Sequence, residues 1–168
     1  MNKNLIIFVV VLVGLFGFLL LWGGSSTATL PVSTQIERGT ELSLNQSEYE
    51  FGTIGMYDGN VMTSFVVSNL TDRDIKIDSI VTSCMCTTAY LVMGSDKKGP
   101  YGMPGHGSVV PRVNEIIKAG EDMLIEVVFD PAAHGPQGAG HADRSVYVID
   151  ENGGALEFVF TADVILQN

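Results

Sequence analysis

The sequence predicts an all-β fold, an immunoglobulin-like antiparallel β-sandwich of about seven strands, preceded by one N-terminal transmembrane helix. Apolar and polar residues alternate from residue 41 onward, as they do in strands with one buried face. Turn-forming residues separate these runs, and the 19 Gly among 168 residues are typical of many short connections. One uncharged apolar run, Leu5 to Trp22, comes before all of them.

The apolar run predicts a membrane anchor. As a helix it would span roughly 27 Å, close to the ~30 Å hydrocarbon core of a bilayer. Lys3 precedes it, and no Lys or Arg follows until Arg38. The positive-inside rule then places the N-terminus in the cytoplasm and the rest of the chain in the periplasm or outside the cell. A cleavable signal, cut near Ser26-Thr27-Ala28, is the alternative and predicts the same compartment.

Three regions follow from this pattern. Residues 1–22 form the anchor or uncleaved signal, and residues 23–40, small and polar, form a flexible tether. Residues 41–168 form the sandwich, with a Gly- and Pro-rich insertion at 92–112 that is long for a simple connection. Asn152-Gly153-Gly154 predicts a hairpin between the last two strands. We expect strands near 48–54, 60–69, 74–83, 113–117, 123–130, 144–150 and 155–166.

The charge of the chain narrows the classes of partner. The formal net charge is −10 at pH 7. Nucleic acid needs clustered Lys and Arg on its partner, so we expect no nucleic-acid binding. The expected partners are the membrane, through residues 5–22, and an unidentified protein.

Several short stretches occur in order along the domain: Phe51-Gly52-Thr53-Ile54, Gly59, Phe65-Val66-Val67-Ser68-Asn69, Thr82-Ser83-Cys84-Met85-Cys86-Thr87 and Phe129-Asp130-Pro131. Over roughly residues 45–165 the chain resembles the bacterial domain of unknown function 1573 family. The resemblance implies an immunoglobulin-like domain outside the cytoplasm and no established activity. Met85 stands where the family more often has Gly, and the 92–112 insertion replaces a shorter link.

Cys84 and Cys86 are the only cysteines. On a regular strand, residues two apart point to the same face with Cβ atoms roughly 6.5–7 Å apart. A disulfide needs about 3.8 Å, so the pair would require a local kink to bond, although an oxidising compartment favours the bond. An inert pair, a disulfide, and a metal or redox site therefore all stay open.

If the strands alternate up and down, one rim of the sandwich gathers most of the soft ligands. That rim would hold Cys84, Cys86, Met56, Met93, Met103, His106, His134 and His141. Thiolate, thioether and imidazole suit copper and zinc. The pattern predicts a copper or zinc site made by Cys84, Cys86, His106 and one of His134, His141 or Met103.

No phosphate-binding loop, dinucleotide fingerprint, nucleophile elbow or zinc-protease helix occurs in the sequence. The first hypothesis is therefore a non-enzymatic binding or structural module that uses sheet edges or the 92–112 insertion as its contact surface. The alternative hypothesis is a soft-metal or redox accessory protein acting through Cys84 and Cys86.

Overall fold

The computed structural model describes residues 39–105 and 112–166. These residues form ten strands and one short 3-10 helix, Gly135–Gly138. The strands are β1 (Leu42–Leu44), β2 (Glu48–Gly55), β3 (Val61–Asn69), β4 (Ile75–Thr82), β5 (Thr87–Met93), β6 (Asp96–Tyr101), β7 (Glu115–Ile117), β8 (Asp122–Phe129), β9 (Gly140–Asp150) and β10 (Ala155–Ile165).

The strands form two five-stranded sheets. One has the order β1-β3-β8-β5-β6, and the other has the order β2-β10-β9-β4-β7. Eight of these ten strands pair only antiparallel, whereas β2 and β10 pair with each other in a parallel register. The predicted all-β sandwich is confirmed, and its purely antiparallel character is wrong at this one edge.

The alternation of the strands produces the core between the sheets. Along β4, Ile75, Ile77 and Ile80 are buried, while the residues between them are half-buried. Aromatic rings fill the centre: Phe65 stacks on Phe158 with ring centroids 4.3 Å apart. Burying such side chains is worth roughly 1.5–3 kcal/mol each, so this alternation is the main determinant of the fold.

The seven predicted strands all exist, but β1, β5 and β6 were not predicted. The 92–112 insertion is not a plain loop, since it contains the end of β5 and all of β6, and Tyr101 at the end of β6 is buried. Asn152-Gly153-Gly154 does connect an antiparallel hairpin, β9 to β10. The strand β5 was missed because the turn before it contains no Gly, Pro or Asn.

The predicted anchor at 5–22, and the tether as far as residue 38, lie outside the described residues. Within 39–105 and 112–166, no helix is long and apolar enough to cross a membrane.

The sandwich has two ends, a cysteine end and an asparagine end. At the cysteine end, β4 and β8 finish at Thr82 and Phe129, and β5 and β9 begin at Thr87 and Gly140. At the asparagine end, β3 finishes at Asn69 and β9 finishes at Asp150. The register places these ends opposite each other, because Phe129 pairs with Thr87 while Asp122, at the start of β8, pairs with Ser68.

Candidate thiol and imidazole site

The turn between β4 and β5 holds both cysteines. The side chain of Thr82, which is buried, closes this turn: its Oγ1 donates to the carbonyl oxygens of Cys84 (3.0 Å) and Thr87 (3.1 Å). The backbone N–H of Thr87 also donates to Cys84 O, at 3.2 Å. The Thr residues that flank the Cys-x-Cys segment therefore shape the turn.

Cys84 and Cys86 form a disulfide in the structure, with Cα atoms 5.3 Å apart. That Cα separation lies within the usual range for disulfides. Of the three possibilities that the sequence leaves open, the structure has the disulfide, because the chain turns here and the kink that bonding requires is present. The N–H of Cys86 donates to Cys84 Sγ at 3.3 Å, which further closes the turn.

The loop after β8 brings His134 to the disulfide. The N–H of Asp130 donates to Cys86 O (2.9 Å), and the N–H of Ala132 donates to the Asp130 carboxylate (2.9 Å). This connection ties the loop to the cysteine turn at its base. His134, exposed just before the 3-10 helix, places its Nε2 3.2 Å from Cys84 Sγ.

Arg144, on β9, contacts the other sulfur. Its Nε donates to Cys86 Sγ at 3.3 Å, and its Nη1 donates to Asp143 O at 2.7 Å. The strand is held against the cysteine turn by Ser83 and Ser145, since each residue's backbone N–H donates to an oxygen of the other at 2.9 Å. Arg144 and its hydrogen bond place a cation beside the buried sulfur.

Sequence reasoning missed Arg144, although the sequence carried a signal for it. Ala142, Val146, Val148 and Asp150 are the buried positions of β9, and Arg144 lies in the same alternating row. A charged residue at an inward position is costly unless it has a partner. A charged residue in this mostly apolar row therefore indicates that Arg144 has a specific partner, which the structure shows to be Cys86 Sγ.

The structure brings together three of the six predicted site residues. One sulfur each from Cys84 and Cys86 and one ring nitrogen of His134 all lie within 4.8 Å of one another. His141 lies outside this group, and its Nδ1 is 2.9 Å from Asp163 Oδ1. Met103, 38% exposed, follows Gly102, whose carbonyl accepts a hydrogen bond from the Thr82 N–H.

The other members of the predicted rim have different positions. His106 lies outside the described residues. Met56 is buried in the core and 1% exposed, so it does not stand free at the rim. Met93 ends β5 and therefore lies at the asparagine end, because the missed strand carries the chain across the sandwich.

This arrangement has two chemical states. As a disulfide, the sulfurs carry no charge and are weak metal ligands, because the thiolate is the form that binds metal. Once reduced, they provide two soft thiolate ligands beside an imidazole, a donor set that suits Cu(I) or Zn(II).

Comparison with known proteins supports the fold and the resemblance. The family model described as a protein of unknown function, DUF1573, matches residues 42–100, which include the cysteine turn. The predicted resemblance to this family is confirmed over residues 42–100. No curated protein matches the sequence.

Several solved structures share the architecture. A protein of unknown function from Porphyromonas gingivalis matches with a TM-score of 0.52 at 14% identity, covering 73% of this chain and 46% of its own. A family 123 glycoside hydrolase from Clostridium perfringens matches with a TM-score of 0.55 at 8% identity, covering 76% and 28%. A PapD-like domain of human CEP192 matches more weakly, with a TM-score of 0.43 at 13% identity, covering 82% and 97%.

This chain thus spans less than half the length of the first two proteins. At these identities the likeness shows the fold alone. The findings together describe a β-sandwich of unknown function, which is consistent with a binding or structural module.

Proposed function

We propose that this chain is a membrane-held, non-enzymatic module outside the cytoplasm whose reduced Cys84, Cys86 and His134 bind one soft metal ion, copper or zinc. The observation that carries the proposal is the convergence of these three side chains within 4.8 Å. The sequence places His134 far from the cysteines, so their meeting is a product of the fold.

The geometry sets a condition on binding. Zinc–sulfur bonds of about 2.3 Å in a tetrahedral site hold two sulfurs about 3.8 Å apart. The disulfide must therefore be reduced and the sulfurs must separate before an ion enters. Three protein ligands also leave a fourth position. Met103 and His106 stay as proposals for that position, supported by the hydrogen bond that ties Gly102 to the end of β4.

The proposed location rests on the apolar run at 5–22, with Lys3 before it. The disulfide supports the same location, because such bonds persist mainly in oxidising compartments. Alkaline carbonate washing of membranes tests the anchor: the full chain should stay in the pellet, and a chain lacking residues 5–22 should be released. Release of the full chain would refute membrane anchoring.

Partner binding by strand addition, the first hypothesis from the sequence, has less support from the described edges. Edge strands β1 and β7 have three residues each. Edge strand β6 carries Lys97, Lys98 and Pro100, and edge strand β2 has a register irregularity opposite β10. Short strands, Lys, Pro and bulges all discourage the addition of another strand. A protein partner remains part of the proposal, but through loops rather than edges.

Metal uptake by the reduced full chain in detergent tests the proposal. After reduction and removal of the reductant without oxygen, we expect one zinc or one Cu(I) per chain, measured by competition with a chromophoric chelator. Cys84→Ser and Cys86→Ser should abolish stoichiometric uptake. His134→Ala should weaken binding by about 10-fold or more, as loss of a metal-supporting group commonly does.

His141→Ala is the matched control. Among the described residues, it removes the second imidazole at the cysteine end, which pairs with Asp163 and not with the sulfurs. Its uptake should equal that of the unmodified chain. The proposal fails if the reduced chain takes up no stoichiometric metal, or if His134→Ala and His141→Ala behave alike.

A further inference from the structure

The two sulfurs of the disulfide have different surroundings. Cys86 is 3% exposed and belongs to the hydrophobic core, whereas Cys84 is half-buried and only packs against that core. The Arg144 guanidinium donates to Cys86 Sγ, and the exposed His134 ring contacts Cys84 Sγ. The environment therefore distinguishes the two ends of a bond that is chemically symmetric.

We propose that this disulfide is opened by directional thiol–disulfide exchange, in which an external thiolate attacks Cys84 Sγ and Cys86 leaves as a thiolate held by Arg144. The exchange would act as the gate of the metal site. That gating role rests on the proposed function, while the direction of exchange does not.

The first step is a substitution at sulfur. The incoming thiolate forms a new S–S bond to Cys84 Sγ, the Cys84–Cys86 bond breaks, and its electron pair leaves with Cys86 Sγ. A second thiol, from the same dithiol or another molecule, then attacks the incoming sulfur and releases Cys84 as a thiolate. The external thiols are oxidised to a disulfide, and the domain gains two electrons and, after protonation, two protons.

Access favours Cys84 as the attacked sulfur. Exchange requires the nucleophile to reach the sulfur, and the rate depends on which sulfur is attacked and on how well the other leaves. Cys86 is enclosed by the core, so a nucleophile cannot approach it without displacing packed side chains. Cys84 lies on the turn beside an exposed histidine and next to Met85, which is 59% exposed.

Arg144 favours Cys86 as the leaving group. A developing thiolate in the core would otherwise carry an unpaired charge, which is costly. The Nε of Arg144 is already within hydrogen-bond distance at 3.3 Å in the oxidised form, so this stabilisation needs no rearrangement. Hydrogen bonds to charged groups are roughly twice as strong as neutral ones, so the contact strengthens as the bond breaks.

Capture of the mixed disulfide on the unmodified full chain tests the direction. The oxidised chain is treated with excess reduced glutathione and quenched with acid at early times, and fragmentation mass spectrometry locates the bound glutathione. We expect at least about 10-fold more glutathione on Cys84 than on Cys86. Equal amounts, or more on Cys86, would overturn the proposal.

Substitution of Arg144 tests the leaving group in the intact disulfide. At one fixed pH, Arg144→Gln should slow reduction by dithiothreitol by about 3-fold to 10-fold, because a poorer leaving thiol leaves more slowly. Arg144→Lys, which keeps the charge, should recover part of that rate. The control is Arg112→Gln, since Arg112 is exposed and 3.7 Å from Asp78. Circular dichroism must show that each variant is folded, and equal rates for Arg144→Gln and Arg112→Gln would refute the role of Arg144.

A separate experiment tests which class of thiol reduces the disulfide. The unmodified chain is exposed in parallel to reduced glutathione and to a reduced thioredoxin-type dithiol protein, and faster reduction by one of them identifies the class of donor. No reduction by either, under conditions where dithiothreitol succeeds, would overturn the gating role. Metal uptake after chemical reduction is measured independently, so failure of the exchange and failure of the metal site give different results.

Discussion

The two ends of the sandwich use polar side chains in different ways. At the asparagine end, Asn69 is fully buried, and its amide donates to the carbonyl oxygens of Arg73 and Ile117 while its oxygen accepts from Thr71. Asp150 there accepts backbone N–H groups of the turn before β10. At the cysteine end, Thr82, Ser83 and Asp130 likewise bond backbone groups, but each sulfur also contacts another side chain, one an imidazole and the other a guanidinium.

Polar groups at the asparagine end therefore have a structural role, whereas those that contact the sulfurs at the cysteine end can take part in a reaction. A side chain saturated by backbone groups fixes a turn and has no capacity left for a ligand. A sulfur beside an imidazole keeps its capacity to react, because its partner is another side chain that can move. The asparagine end should therefore determine stability, and the cysteine end should determine reactivity.

The largest expected effect on stability is at Asn69. Asn69→Ala should lower the free energy of unfolding by about 3 kcal/mol, because it removes the buried hydrogen bond to the Ile117 carbonyl and the acceptor that Thr71 uses. Urea unfolding measures this. Asn45→Ala is the control, since Asn45 makes one exposed contact, to the N–H of Val66; it should cost well under half as much. Similar losses for both variants would contradict the structural role of the asparagine end.

Reduction of the disulfide should have a smaller effect. The cysteines are only two residues apart, so the bond closes a very short loop and constrains the unfolded chain little. The entropic estimate for such a loop is about 1.5 kcal/mol. Urea unfolding of the oxidised chain and of the Cys84→Ser/Cys86→Ser chain should differ by no more than this. A chain that unfolds on reduction would show that the cysteine end is structural after all.

The smallest expected effect is a loss of stability at alkaline pH caused by two tyrosines, Tyr101 at the end of β6 and Tyr147 within β9. Burial raises the pKa of Tyr101 above its usual value, and burial likewise raises the pKa of Tyr147. A phenol whose pKa is higher in the folded state stabilises the fold below pH 10 and loses that contribution as the pH rises through the folded value. Urea midpoints should therefore fall above pH 10, and Tyr101→Phe with Tyr147→Phe should reduce the fall. An unchanged pH dependence in that double variant would exclude these phenols as its cause.

Much of the fold could be predicted from periodicity, because the core of a sandwich is a direct consequence of alternation. β3, β4, β8 and β10 each have apolar residues two apart, and each exists close to its predicted bounds. The turn at Ser83–Cys86 could not be predicted in the same way. Hydrogen bonds from Thr82 close it, and Thr is equally common inside strands. Because the turn was not predicted, β5 was not predicted either, and Met93 was expected at the cysteine end although it lies at the asparagine end.

The candidate site was also only partly predictable from the sequence. Cys84 and Cys86 stand out in the sequence as the only cysteines, and His134 stands out as one of three histidines. Nothing local distinguishes His134 from His141, since both follow glycine-rich or small residues in the same segment. The choice depends on the 2.9 Å hydrogen bond from Asp130 to Cys86, which holds the His134 loop over the turn.

The sequence by itself determined the all-β class, the strand alternation, the acidic charge and the identity of the soft ligands, because these depend on composition and on neighbours along the chain. Only the tertiary structure decided that Cys84 bonds Cys86, that His134 approaches one sulfur, and that Arg144 approaches the other. The last two contacts join residues 50 and 58 positions apart. They depend on strand register and loop closure, for which periodicity carries no information.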